Sequence, residues 1–142
     1  MRAYIALGCS ALALALVGCA TQPVQTAESG PCPKGQQRAN TVELVFGRND
    51  GERLAVTDAD WRRFIDEVVT PRFPDGLSVM DVQGQWRAPG GMLVREPSKI
   101  VYLVLDGGPD DPAKIANIRE SYKQRFNQKS VLLVSQKACV SF

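Results

Sequence analysis

Residues 77–105, LSVMDVQGQWRAPGGMLVREPSKIVYLVL, decide the fold. Leu77 to Arg87 reads as a strand, the Ala88-Pro89-Gly90-Gly91 tract turns the chain, and Met92 to Leu105 returns as a second strand with a break expected at Pro97. Upstream, Thr41-Val42-Glu43-Leu44-Val45-Phe46 alternates through Val42, Leu44 and Phe46 and then meets Gly47 and an Asn49-Asp50-Gly51 turn, which predicts another strand. Between them Thr57 and Asp60 resemble a capping box, with Asp in place of the usual Glu. Trp61, Phe64, Ile65 and Val68 then share one helical stripe until Pro71. Downstream, Asp111 as N-cap and Pro112 at the first helical position start a second helix, striped by Ile115, Ile118, Tyr122 and Phe126. Val131 to Val140 is the last strand.

The resulting order, β-α-β-β-α-β, is that of an α+β, ferredoxin-like fold: a four-stranded antiparallel sheet with two helices on one face. In that topology the end of the last strand approaches the start of the first. Cys139 and Cys32 sit near those two places, so topology and cysteine positions support one another.

The N-terminus fixes where the chain works. Ala3 to Val17 is apolar apart from Tyr4, Gly8, Cys9 and Ser10, too short to cross a bilayer as a helix and long enough for a signal segment. Leu16-Val17-Gly18-Cys19 closes it and resembles the bacterial lipobox. That resemblance implies a signal peptide over residues 1–18, cleavage before Cys19 and acylation of its thiol. Ala20 in the next position implies sorting to the outer membrane, with the domain facing the periplasm; retention at the inner membrane is the alternative. Residues 19–31, rich in Thr, Gln, Ala, Ser and Pro, read as a tether with little to bury, and residues 32–142 as a single domain.

Of the four cysteines, Cys9 leaves with the signal and Cys19 carries lipid, so Cys32 and Cys139 remain in an oxidising compartment. An even remainder predicts one disulfide, closing a loop of about 107 residues; the alternative is two buried free thiols.

The formal charge of the whole chain is +2, from 17 Lys and Arg against 15 Asp and Glu, and the mature part is closer still to neutral. No nucleic-acid partner is expected from that balance. The chain has no histidine, which removes Ser-His-Asp, Cys-His and His-zinc arrangements. No pair of neighbouring cysteines suggests a thiolate metal site and no glycine-rich phosphate loop stands between a strand and a helix, so no metal or cofactor is expected. Gly107-Gly108-Pro109-Asp110-Asp111-Pro112 suits a turn and a helix cap better than an anion cradle.

The unusual stretches are Thr70-Pro71-Arg72-Phe73-Pro74-Asp75-Gly76-Leu77, Gly84-Gln85-Trp86-Arg87 and Arg95-Glu96-Pro97-Ser98-Lys99. Over about residues 41–137 they resemble the signature of the bacterial domain-of-unknown-function 3574 family. That resemblance implies a small envelope protein, often made as a lipoprotein, and no established reaction, substrate or partner.

Two prolines around Arg72 and Phe73 stiffen the link into the hairpin. With a turn at 88–91, Arg87 faces Met92, Trp86 faces Leu93, and Arg95 lies diagonally from Trp86, within reach of a cation–π contact. Arg72, Asp75, Trp86, Arg87 and Arg95 are therefore expected to converge. They form either a brace of ion pairs with Glu96 or a pocket for an anionic or aromatic small molecule. On the strand ending at Leu105, Lys99, Val101, Leu103 and Leu105 occupy one face and Ile100, Tyr102 and Val104 the other. Both faces are apolar, so the one without helices calls for a cover, most simply a second copy in a homodimer, with burial under the tether as the alternative. The function expected is non-enzymatic binding or assembly in the envelope, with another envelope protein or an anionic small molecule as partner. The alternative is a small metal-free enzyme on a dimeric scaffold using Asp75, Tyr102 or an Arg.

Overall fold

The computed structural model describes residues 30–142. The signal segment, Cys19 and most of the expected tether lie outside the described residues. Strand β1 runs Gln37–Gly47, two short strands β2 (Asn49–Asp50) and β3 (Arg53–Leu54) pair with each other, and helix α1 (Asp58–Phe64) continues as a π-helical turn, Ile65–Val69. Strands β4 (Ser78–Arg87) and β5 (Leu93–Leu105), helix α2 (Asp111–Phe126) and strand β6 (Leu132–Val140) complete it. All pairings in the main sheet are antiparallel, in the order β4-β5-β1-β6, which is the ferredoxin-like arrangement predicted.

Alternation explains β1: Val42, Leu44 and Phe46 point into the core beside Val101 and Leu103 of β5. Both helices lay their stripes on that face, α1 through Trp61 and Phe64 and α2 through Ile115, Ile118 and Tyr122. Phe46 is the centre, with ring centroids 5.2 Å from Trp61, 5.9 Å from Phe64 and 4.7 Å from Tyr122, all edge-on. The Thr57–Asp60 capping box forms, the Asp60 amide donating to Thr57 Oγ1 and the Thr57 amide to Asp60 Oδ2. The Thr57 hydroxyl and then the Thr57 amide, both donating to Asp60 Oδ2, hold the Asp60 carboxyl below its usual range.

Cys32 and Cys139 form the expected bridge, with Cα atoms 5.6 Å apart, because Gln37 pairs with Val140 and Arg38 with Cys139.

Four local expectations change. Strand β1 starts at Gln37 rather than Thr41, since β6 provides partners as far as Val140. The N-cap of α2 is Asp110 rather than Asp111, which is the first helical residue. Strand β5 runs unbroken through Pro97: its carbonyl accepts from the Arg48 amide, so its nitrogen faces the side where β1 has already ended and no strand hydrogen bond is lost. Finally, Met92 joins the turn, so Arg87 pairs with Leu93 and Trp86 with Val94, one residue from the expected register.

Candidate functional site

That one-residue shift reverses which residues share a face of the hairpin. Trp86 lies with Val94 and Glu96 on the face away from the helices, while Arg87, Leu93, Arg95 and Gln85 lie on the opposite face. The expected contact of Arg95 with Trp86 is therefore not made. Arg95 Nε donates instead to Gln85 Oε1 at 3.0 Å, Arg87 holds the Gly91 carbonyl across the turn at 2.6 Å, and Trp86 Nε1 donates to Glu96 Oε1 at 3.1 Å. Nor do the five candidates converge. Arg72 and Asp75 precede the start of β4 at Ser78, whereas Trp86 and Arg87 end it, roughly 30 Å away along an extended strand. Among the described residues no ion pair joins any of Arg72, Asp75, Arg87, Arg95 and Glu96 to another.

Where β4 begins, the chain makes a concave site. The π-helical turn ends with the Thr70 amide donating to the Ile65 carbonyl, and the Arg72 and Phe73 amides both reach Val69. Pro71 and Pro74 stiffen the loop into β4. Gly76 takes a φ of 142°, which an L side chain resists, and Leu77 returns to the core. Strand β5 runs on to Leu105 while β4 starts only opposite Tyr102, so the 72–77 loop stands over an uncovered stretch of β5 edge. A cavity of about 480 Å³ results. Arg72, Phe73 and Asp75 line it from the loop, Tyr102 and Val104 from β5, and Asp111 and Lys114 from α2.

Arg72 is already committed at its rim. Its guanidinium donates to the Val68 carbonyl at 2.6 Å and to Asn117 Oδ1 at 2.5 Å, tying the π-helical turn to α2. Lys114 Nζ stands 5.5 Å from the centre of the Phe73 ring and 3.7 Å from Asp111 Oδ1. Asp111 is 7% exposed, and its Oδ2 has no hydrogen-bond partner among the described residues. Sequence reasoning placed Asp111 as a cap and did not mark Lys114. The signal available was a second Asp beside Asp110, one more than a cap requires.

At the other end of the sheet two buried cations, Arg48 and Lys99, meet two exposed carboxylates in a network with a structural role. Arg48 Nε donates to the Val56 carbonyl and its NH2 group meets Asp58 at 2.9 Å, while Lys99 bridges Asp58 at 3.6 Å and Asp81 at 2.5 Å. Among the described residues, no group of three or more His, Cys, Asp or Glu residues is placed to hold a metal ion.

The family signature spans this architecture from β1 to the C-terminal residue, residues 41–142. The chain belongs to the DUF3574 family, described as proteins of unknown function. No curated protein matches the sequence. Among solved structures, a phage SAM lyase in complex with S-methyl-5'-thioadenosine is 19% identical with a TM-score of 0.58. That alignment covers 80% of this chain and 95% of the other. The phage SAM lyase in its apo state is 18% identical with a TM-score of 0.55, over 74% and 90% of the two chains. CutA from Synechococcus elongatus PCC7942 is 9% identical with a TM-score of 0.48, over 73% and 80%. The likeness to the lyase is one of fold.

Proposed function

We propose that this DUF3574 protein is an outer-membrane lipoprotein, exported by residues 1–18 and acylated at Cys19, whose periplasmic domain binds a small molecule in the cavity beside residues 72–78. The observation that carries the reading is Asp111, a nearly buried carboxyl group lining that cavity with one oxygen unsatisfied. A buried acceptor without a donor costs about 1 to 3 kcal/mol, and a ligand N–H or O–H recovers it once a small turn of the Asp111 carboxyl group brings Oδ2 to the cavity surface. The volume suits a small ligand, and Phe73 and Tyr102 offer flat surfaces for a ring.

The expected ligand chemistry changes accordingly. Arg72, the residue best placed by sequence to hold an anion, is instead fixed by two neutral acceptors, the Val68 carbonyl and Asn117 Oδ1, which take two of its five N–H donors. Asp75 and Asp111 favour a ligand that brings donors. A purine nucleoside has a flat ring, an amino group and sugar hydroxyls, and a protein of similar fold has been seen with S-methyl-5'-thioadenosine.

The test is calorimetric titration of the full chain in detergent with S-methyl-5'-thioadenosine and with adenosine. Saturable binding that Asp111→Asn weakens at least tenfold, in a variant whose circular dichroism matches wild type, supports the reading. No heat at millimolar ligand, or binding indifferent to Asp111→Asn, overturns it. Chromatography of the same mixtures separates binding from catalysis: unchanged nucleoside fits a binding protein, and a cleaved product replaces it with the enzymatic alternative, for which Tyr102 and Asp75 line the same cavity.

A further inference from the structure

Strand β1 ends at Gly47, opposite Ser98, so β4 and β5 continue past it as a two-stranded arm. Glu96 at its base is held by the Asn49 amide and Trp86 Nε1. Beyond Glu96, residues 83–95 read QGQWRAPGGMLVR: two arginines, no acid, and three large apolar side chains in solvent. Trp86 is 45% exposed on one face of the arm, Leu93 is 41% exposed on the other with Arg87 and Arg95 at the surface beside it, and Met92 is 59% exposed at the turn. Apolar exposure on this scale at the end of an arm, ringed by one sign of charge, has no folding purpose.

We propose that this arm tip docks on an anionic bilayer surface, Trp86, Met92 and Leu93 entering the interface and Arg87 and Arg95 lying among the headgroups. Tryptophan favours that depth because its ring is amphipathic, and arginine gains about 1 kcal/mol per charge near an anionic leaflet. Charge complementarity selects the lipid: residues 83–95 carry two arginines and no acid, and the neighbouring Glu96 carboxylate is already taken up by the Asn49 amide and Trp86 Nε1.

Chain length then sets the orientation. The described chain starts at Gly30, whose carbonyl accepts from Arg38 near the beginning of β1, at the opposite end of the sheet from the tip. From Arg38 to the tip is roughly 14 strand residues, or about 46 Å. The chain from Cys19 to Gly30 cannot exceed about 40 Å however it is arranged. An acylated Cys19 and a docked tip therefore require the strands to lean toward the bilayer rather than stand upright on it.

The experiment uses the full acylated chain in phosphatidylglycerol vesicles with brominated acyl chains, read by tryptophan emission, with matching phosphatidylcholine vesicles. Trp61 is 4% exposed in the core and serves as the unquenched internal reference. Expected are quenching in phosphatidylglycerol, its loss in Trp86→Phe, and about fivefold weaker tip engagement for each of Arg87→Gln and Arg95→Gln. Emission indifferent to bromination, quenching that survives Trp86→Phe, or equal quenching in phosphatidylcholine would overturn the proposal. So would a Trp86 shielded from acrylamide before vesicles are added, which marks a second copy on the tip. Flotation of the vesicles reads the lipid anchor separately, so loss of the tip contact and loss of the anchor are distinguishable.

Discussion

The carboxylate of Glu96 occupies the space that a side chain at residue 47 would need: a Cβ built on Gly47 stands 2.8 Å from both of its oxygens. From there Glu96 accepts from the Asn49 amide at 3.3 Å and from Trp86 Nε1 at 3.1 Å, fastening the arm to the end of β1. Gly84 keeps similar company, its Cβ position lying 2.8 Å from Ser98 Oγ.

Gly47→Ala is therefore expected to displace Glu96 rather than strain the backbone, at a cost of about 1 kcal/mol for the lost hydrogen bonds. In the Glu96→Ala background the same change should cost markedly less, because the carboxylate is already gone. Urea unfolding of the four chains of this cycle gives the coupling. Additive costs would mean that Gly47 is needed for something other than Glu96.

Arg72 distinguishes a brace from a ligand site. Its two partners, the Val68 carbonyl and Asn117 Oδ1, link the π-helical turn to α2, so Arg72→Ala should lower unfolding stability by about 1 to 3 kcal/mol. Asn117→Ala should remove part of the same amount. Nucleoside binding by folded Arg72→Ala should persist, since the cavity's unsatisfied group is Asp111. Unchanged thermal stability with abolished binding would return Arg72 to the role of ligand contact.

The fold was legible because its signals are local and repeat along the chain. The alternation of Val42, Leu44 and Phe46, the Thr57–Asp60 cap and the stripe from Ile115 to Phe126 each specify one element, and their order leaves few topologies. The site was not legible because it depended on register. Counting Met92 into the turn moves every later pairing by one residue, which takes Trp86 off the face of Arg95 and pairs it with Val94. Cavity formation was hidden for another reason: it arises where β4 starts three residues short of the end of β5, a difference in strand length that neither strand's composition announces.

Burial pushes the Tyr122 hydroxyl well above its usual value of 10.0, with nearby Glu96 adding to the rise and Arg48 opposing it. The neutral phenol donates to the Gly47 carbonyl at 2.8 Å. A raised folded value means that this contribution to stability is complete below the unfolded value near 10 and is lost as pH rises toward the folded one. Wild type should lose stability above pH 10 more steeply than Tyr122→Phe, which has no proton to release. Chemical denaturation across pH 8 to 11 measures both slopes, and parallel slopes would contradict the assignment.

The sheet face away from the helices makes the last expectation. It carries Met80 and Val82 from β4, Ile100, Tyr102 and Val104 from β5, Val45 from β1, and Leu132 and Val134 from β6, with Glu43 and Glu96 as its charged residues. Met80 is 42% exposed, Leu132 59% and Val134 42%, so much of this apolar surface meets solvent in a single chain. A second copy presents the same unpaired face, and two such faces related by a two-fold axis cover each other without a further protein. Light scattering of the full chain in detergent should give twice the chain mass, and Val134→Asp should return it to one, because a carboxylate directly opposite Glu43 in a closed interface loses its water and meets only a like charge. Circular dichroism of Val134→Asp should remain that of wild type, since the side chain points away from the core formed by Leu44, Phe46 and Leu103. A wild-type chain of single mass at high concentration would leave this face to a different occupant and end the expectation.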